Sequence, residues 1–191
     1  MLCLKNKTKA GWLDIALANL ESVIIDHAHC EKKAAGTGMS LLSSYPEYTE
    51  ISLLMSDLIE EEIGHYRSVI QILRTKGITL SKDKGDPYVK ELMSHLRTGE
   101  PGRMLDRLIV SGIIEARSCE RLQLLGENIP DEELKKFYTD LAASEAGHYV
   151  SFIKLAKLYF SEDEVVTRLE ELTSIEAEIV DRLPNMPSIH G

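Results

Sequence analysis

The motif Glu-x-x-His occurs twice in a form that could bind metal, at Glu62–His65 and at Glu145–His148. A single Glu in an apolar helical pattern precedes each motif, Glu31 by 31 residues and Glu115 by 30. The chain therefore repeats one spacing, with three candidate ligands in each half. Carboxylate oxygens suit hard or borderline metal ions, and imidazole suits iron, zinc, copper and nickel.

The candidate ligands lie on the apolar faces of the helices that must position them. Residues that recur three and four positions apart share one helix face. Through the first motif this step gives Ile51, Met55, Leu58, Glu62, His65, Val69 and Ile72, and the same step through Glu31, Glu115 and Glu145 also gives mainly apolar residues. Since burying an isolated carboxylate is very unfavourable, a bound cation is expected.

The predicted site holds two metal ions, because a four-helix bundle with such a site takes one Glu from each of two helices and Glu-x-x-His from each of the other two. Mixed carboxylate and imidazole ligation favours iron, with manganese second. The lack of Cys among the ligands argues against structural zinc. The predicted ligands are Glu31, Glu62, His65, Glu115, Glu145 and His148.

One copy of Glu-x-x-His would be weak evidence, because about one is expected by chance in a chain with six His. Such a copy usually lies on a solvated helix face. Two rival interpretations stay open. The first is another di-metal activity, namely a ferroxidase, a manganese catalase or a peroxidase. The second is a helical interaction protein whose metal is structural or absent.

The composition is that of a globular protein of 191 residues, with 43% hydrophobic and 28% charged residues. This length fits one domain, residues 1–191. No apolar run could span a bilayer, and the first nine residues lack a secretory signal, which predicts a cytoplasmic location and no membrane partner. Three Cys with no metal-finger spacing predict reduced thiols.

Helix patterns dominate the chain and predict an all-α, ferritin-like four-helix bundle. A long crossover containing a short helix, at about 88–97, joins the two helix pairs. Proline, glycine and acidic helix starts set the limits of the elements. The predicted bundle helices span about 11–42, 47–76, 104–127 and 131–160, and an additional C-terminal helix spans about 163–182.

Four segments resemble one family, the bacterial tRNA hydroxylases called MiaE, which are ferritin-like non-haem di-iron proteins. The resemblance covers about residues 12–160. The segments are Asp26-His27-Ala28-His29-Cys30-Glu31-Lys32-Lys33-Ala34-Ala35, Glu60-Glu61-Glu62-Ile63-Gly64-His65-Tyr66, Ile114-Glu115-Ala116-Arg117-Ser118-Cys119-Glu120-Arg121 and Ser144-Glu145-Ala146-Gly147-His148-Tyr149.

The resemblance implies a dioxygen-dependent monooxygenase that hydroxylates the isopentenyl group of 2-methylthio-isopentenyl-adenosine beside the tRNA anticodon. It also implies that the same six residues bind two irons. Two electrons must come from an external donor, a reductase or a ferredoxin, because the chain has no flavin or iron–sulfur motif. The sequence leaves the oligomeric state open.

Two further residues are candidates for contacts around the metals. His27 lies one turn before Glu31 on the same stripe, where it is either a neighbour of the ligands or a satisfied core histidine. Glu120 is five positions from Glu115, about 140° around the helix, and so faces away from the metals. It is interpreted as supporting the ligands, pairing with Arg117 or Arg121, or lying in solvent.

The net charge of −9 is opposite to that expected of a nucleic-acid binder. Basic residues nevertheless collect on the helices that carry Glu31 and Glu115 and on the connection before the latter. They are interpreted either as a rim that binds anticodon-loop phosphates or as solvated helix faces. The residues in question are Lys32, Lys33, Arg97, Arg103, Arg107, Arg117 and Arg121.

Overall fold

The computed structural model describes residues 2–191, which contain seven helices and no strand. They form two compact units, residues 18–85 with 187–189, and residues 2–17 with 86–186 and 190–191. None of the helices in residues 2–191 is long and apolar enough to cross a bilayer. The helices are α1 (Trp12–Ala18), α2 (Leu20–Ser44), α3 (Thr49–Thr75), α4 (Pro87–Ser94), α5 (Gly102–Asn128), α6 (Glu132–Tyr159) and α7 (Glu162–Arg182).

The first predicted helix, 11–42, is wrong as one continuous element, because it is divided at Asn19. Asn19 has φ −135° and ψ 40°, outside the α-helical region, and its carbonyl accepts the first bond of α2 from the amide of Val23. Asn is a poor residue for a helix interior and a good one for a helix start. The other predicted helices agree with the structure to within about three residues at each end.

In the first unit, α2 and α3 form a helical hairpin. The four-residue connection between them makes the two helices antiparallel. Leu41, Ile51 and Met55 are fully buried in the core of the pair. A Cβ on Gly38 would lie 2.8 Å from Cγ1 of Ile59, so the absence of a side chain lets the helices approach closely.

In the second unit, α5 and α6 form a second hairpin, joined by residues 129–131. Asp131 begins α6 by accepting hydrogen bonds from the amides of Glu133 and Leu134, both at 3.1 Å. This confirms the helix start that the sequence predicted after Pro130. Gly126 lies against Thr139, whose backbone nitrogen would be 3.0 Å from an added Cβ.

The crossover runs along the chain from the end of α3 to the start of α5 and contains α4, as predicted. Asp86 caps α4 by accepting from the amide of Val89 at 2.9 Å. The other carboxylate oxygen of Asp86 lies 2.8 Å from Nδ1 of His190, whose Nε2 lies 2.9 Å from Oγ of Ser118. His190 is buried, and these contacts hold it against residues of α5 and of the start of α4.

Candidate metal centre

The α2–α3 hairpin brings Glu31, Glu62 and His65 together. One ligand atom from each residue lies within 4.8 Å of the other two. Nδ1 of His65 is 3.7 Å from Glu31 and 3.6 Å from Glu62. Both carboxylates are buried, with 3% and 1% of their surface exposed. The three-residue step in the motif places Glu62 and His65 one above the other on α3.

His27 lies beside this cluster, because it is one turn before Glu31 on α2. Its Nε2 is 2.5 Å from Oε1 of Glu31, and the ring is 1% exposed. Burial acts to raise the pKa of Glu31, but the charge and hydrogen bond of His27 lower it to about 2. The interpretation of His27 as a neighbour of a candidate ligand agrees with this contact.

His65 is held in its charged form by the carboxylates around it. Burial alone would lower its pKa, whereas the nearby carboxylates of Glu31 and Glu62 raise it to about 10. In the protein without metal, the positive imidazolium thus compensates two buried negative charges. A metal cation at the same position would compensate them in its place.

The α5–α6 hairpin brings Glu115, Glu145 and His148 together in the same way. Ligand atoms of all three residues lie within 4.8 Å of one another. Nδ1 of His148 is 3.2 Å from Oε2 of Glu145. Exposure is 7% for Glu115, 3% for Glu145 and 6% for His148. This hairpin therefore repeats the chemistry of the first one.

Each hairpin thus offers two buried carboxylates and one imidazole, a donor set that fits iron or manganese. Both histidines turn Nδ1 toward the Glu three positions before them. Two buried carboxylates this close together are strongly unfavourable unless a positive charge compensates them. The residues of each hairpin can therefore hold a metal ion.

Glu120 does not lie among the candidate metal ligands. Its carboxylate accepts from the amide of Thr8 at 3.0 Å and from the hydroxyl of Thr8 at 2.8 Å, and it pairs closely with Arg117. Of the sequence interpretations, pairing with Arg117 agrees with the structure. Glu120 fastens the N-terminal segment to α5.

Two of the seven basic residues cannot form a solvent-facing rim, so the prediction that they bind phosphates is wrong for these two. Arg117 is fully buried and pairs with Glu176 of α7. Arg121 is 3% exposed, donates to the carbonyl oxygen of Gly191 at 2.6 Å and stacks over the ring of Trp12. Both are held inside the unit, where no phosphate can reach them.

The remaining basic residues retain some exposure. Arg103 and Lys32 are exposed, and Lys33 and Arg107 are partly exposed. Arg97 is half exposed, but its guanidinium donates to the buried carboxylate of Asp106 at 2.6 Å. Arg103 is thus the best-placed cation on α5 for contact with an external anion.

Sequence reasoning missed a cavity between α5 and α6. Its volume is about 290 Å³, and it is open to solvent, since four of its six lining residues are exposed. A pair of small residues, Ala142 and Ala143, lies one turn before Glu145 and could have signalled open space there. The residues that line the cavity are Cys119, Gln123, Glu127, Thr139, Ala142 and Ala143.

Comparison with known proteins identifies the family of the chain. A family model described as tRNA-(MS[2]IO[6]A)-hydroxylase (MiaE) matches residues 1–191. A tRNA 2-(methylsulfanyl)-N(6)-isopentenyladenosine(37) hydroxylase of Pseudomonas putida is 37% identical over 173 residues, which are 91% of this chain and 84% of the relative. A hydroxylase of the same name from Salmonella typhimurium is 28% identical, covering 85% of this chain and 77% of the relative.

A solved structure is similar over the whole chain. It is described as protein 43 with aldehyde deformylating oxygenase activity from Synechococcus, and it matches with a TM-score of 0.95 at 35% identity. The match covers 100% of this chain and 96% of the other, which confirms the predicted all-α, ferritin-like fold class. On the evidence of the family model and the two hydroxylase relatives, the chain belongs to the MiaE family of tRNA hydroxylases and is an oxidoreductase.

Proposed function

We propose that the protein is a di-iron, dioxygen-dependent monooxygenase that hydroxylates the isopentenyl group of 2-methylthio-isopentenyl-adenosine in tRNA. Family membership and the names of both relatives support this substrate. One observation carries the di-iron part of the proposal. Each of two helical hairpins buries two carboxylates and one imidazole within 4.8 Å of one another, in an enzyme family that performs a hydroxylation.

The proposed iron ligands are three residues from each hairpin. Iron is preferred to manganese because imidazole accompanies the carboxylates. Bound iron would supply the activation of dioxygen. One oxygen atom enters a C–H bond to give an alcohol, and the other leaves as water after two electrons and two protons arrive from an external reductase or ferredoxin. The ligands are Glu31, Glu62, His65, Glu115, Glu145 and His148.

The side chains around the ligands orient them and exclude water. His27 holds one oxygen of Glu31 at 2.5 Å, which limits the rotation of that carboxylate. Buried apolar residues flank the motifs, Leu58 and Val69 on α3 and Leu141 and Phe152 on α6. A dry surrounding strengthens electrostatic interactions and prevents side reactions of a reactive oxidant with water.

Exposed cations supply the proposed contact with the anticodon stem–loop. Arg103, near the start of α5, is exposed, and Arg107, one turn further on, is partly exposed. Lys32 next to Glu31 is also exposed. Phosphate contacts position a nucleic acid without reading its sequence. We also propose a cytoplasmic location, because tRNA is the proposed substrate.

Metal analysis with single-turnover chemistry tests the proposal. The purified protein is analysed for iron and manganese, reduced, and exposed to dioxygen with tRNA that bears the unhydroxylated isopentenyl group. We expect about two irons per chain, as in other carboxylate-bridged bundles, and a hydroxylated nucleoside by mass spectrometry. Glu62→Ala combined with His65→Ala should lose iron and product while circular dichroism stays helical.

Other outcomes would contradict the proposal in distinguishable ways. Two metals with turnover of ferrous iron or peroxide but no RNA product would favour a ferroxidase, peroxidase or catalase. Deformylation of an aldehyde, tested because of the activity named for the similar solved structure, would favour that chemistry. Protein without metal would exclude the di-iron site.

A further inference from the structure

The loop that follows α3, residues 78–84, lies within the first unit and is held at both ends by local hydrogen bonds. At its start the amide of Ile78 donates to the carbonyl five positions before it at 2.9 Å, and Gly77 has φ 70°, as in a Schellman motif. At its end Gly85 has φ 85°, and its amide donates to Oδ1 of Asp83 at 2.8 Å. The backbone of the loop therefore has a fixed entry and a fixed exit.

Two side chains of α2 attach the middle of this loop to that helix. Nε2 of His29, a residue that is 4% exposed, donates to the carbonyl oxygen of Ser81 at 2.9 Å. Because a carbonyl only accepts, the ring carries its proton on Nε2, and Nδ1 accepts from Nζ of Lys32 at 3.0 Å. Nζ of Lys33 lies 3.5 Å from Oδ2 of Asp83. The loop is thus attached to α2 at two positions that are close in sequence.

These contacts leave positive charge on the exposed side of the loop. Lys82 and Lys84 are exposed, and so is Lys32 on α2. The carboxylate between the two loop lysines, that of Asp83, is engaged by a backbone amide and by Lys33, which keep its pKa below the usual value. The ammonium group of Lys32 has three donor hydrogens, of which the contact with the imidazole uses one. Three lysines of one unit can therefore donate to an external anion.

We propose that Lys32, Lys82 and Lys84, here called the lysine surface, bind phosphates of the tRNA anticodon stem–loop. His29 and Lys33 are positioning residues in this scheme, because they hold the loop and do not contact the tRNA. The inference rests on the proposed function. A lysine ammonium is a point charge on a flexible stem, which suits contacts that position a nucleic acid without reading its sequence.

The place of the lysine surface on α2 favours tRNA over another anionic partner. Lys32 directly follows Glu31, so the two Cα atoms are about 1.5 Å apart along the helix axis and about 100° apart around it. The surface therefore begins beside the face that carries a candidate iron ligand, where the substrate must approach. A loop that is already ordered also loses little conformational freedom on binding. An acidic electron-donor protein is the other partner that such a surface would fit, and the experiments below separate the two.

Lysine footprinting tests the contact directly. The iron-loaded protein is acetylated with and without tRNA that bears isopentenyl-adenosine, and the modified lysines are quantified by mass spectrometry. When tRNA occupies about nine-tenths of the protein, acetylation of Lys82 and Lys84 should fall about 10-fold. Lys90 and Lys154, which are exposed on α4 and α6, should be modified as before. Equal protection of all four lysines, or protection of none, would overturn the proposal.

Charge reversal measures how much the loop lysines contribute to affinity. Lys82→Glu combined with Lys84→Glu should weaken tRNA binding at least 10-fold, and the slope of log affinity against log salt concentration should decrease by about 1.4 to 1.8, as expected for two lost phosphate contacts. Lys90→Glu combined with Lys154→Glu makes the same change of net charge at exposed positions and is the matched control. Equal effects of the two double variants would mean that only net charge matters, which contradicts a specific lysine surface.

His29 gives a separate test of the attachment of the loop. His29→Leu removes the hydrogen bond to Ser81 without changing a lysine. We expect faster cleavage by trypsin after Lys84 in the protein without tRNA, and several-fold weaker tRNA binding with the salt slope unchanged. His29→Gln retains a side-chain donor and should restore part of both properties. If His29→Leu loosens the loop but leaves tRNA affinity unchanged, His29 is not a positioning residue.

Failure of the lysine surface and failure of the proposed function give different results. If the wild type hydroxylates tRNA and Lys82→Glu with Lys84→Glu binds it equally well, the lysine surface is not the tRNA site. Slower reduction of that variant by an acidic ferredoxin would then assign the surface to the electron donor. If the loop lysines are protected by tRNA but the wild type forms no hydroxylated nucleoside, the proposed function fails and the binding surface remains.

Discussion

The guanidinium of Arg117 lies 2.8 Å from the carboxylate of Glu176, and both side chains are fully buried. Arg117 is on α5 and Glu176 on α7. The hydroxyl of Tyr88 donates to the same carboxylate at 3.1 Å. The pair joins two helices of one unit, so Arg117 has a structural role.

Replacing Arg117 with Met should destabilise the fold, because it leaves the carboxylate of Glu176 buried without its cation. The free energy of unfolding in urea should fall by about 3–5 kcal/mol. Arg117→Met combined with Glu176→Met should restore part of this loss, since two apolar side chains can replace a buried ion pair. An unchanged urea midpoint together with weaker tRNA binding would instead identify Arg117 as a tRNA contact.

Asp106 predicts a specific dependence of stability on pH. Its carboxylate is fully buried and accepts from Arg97 and Arg168 at 2.6 and 2.8 Å. Burial acts to raise its pKa, but hydrogen bonds from Arg168 and Arg97 lower it below 3.8. A lowered folded-state pKa gives stability that is present above 3.8 and lost as the pH falls through the folded value.

The Asp106→Asn variant isolates this contribution. From pH 5 to 7 it should be less stable than the wild type by about 3 kcal/mol, because two guanidinium groups lose their charged partner. The difference should shrink below about pH 3.8, because the unfolded wild type then binds a proton at Asp106 that the folded carboxylate still excludes. Urea unfolding at several pH values measures it, and a difference that stays constant down to pH 2 would contradict the lowered pKa.

His27 should tune metal affinity through Glu31. His27→Leu removes the 2.5 Å contact while it keeps a buried apolar side chain of similar size. We expect iron affinity to fall about 10- to 100-fold, the usual effect of losing a group that orients a metal ligand. A competition titration with a chelator measures the change. The exposed His95 provides the control, since His95→Leu should leave iron affinity unchanged.

Charge reversal at Arg103 tests the tRNA surface. Arg103→Glu should weaken tRNA binding, and the slope of log affinity against log salt concentration should decrease by about 1, as expected for one lost phosphate contact. Arg74→Glu makes the same change of charge at an exposed position of α3 outside the predicted set. Equal effects of the two variants would mean that only net charge matters, and Arg103 would not be a contact.

The helices and the faces that carry the candidate ligands could be predicted from local sequence patterns. The spacing of apolar residues placed α3, α5 and α6 to within about three residues but missed the break at Asn19 before α2, and the same spacing put all six candidate ligands on buried or partly buried faces. Periodicity and helix caps act over a few residues, so a single sequence reports them. The role of the six residues as iron ligands remains a prediction.

The amino-acid sequence alone therefore determined the all-α class, the repeated Glu and Glu-x-x-His spacing and the family. Only the tertiary structure decided which charged residues are buried. Arg117 looks like a surface cation in sequence because its partner Glu176 is 59 positions away. The cavity between α5 and α6 also depends on how the two helices approach each other. Contacts between residues distant in sequence leave no periodic signal, and for this reason only the folded chain reveals them.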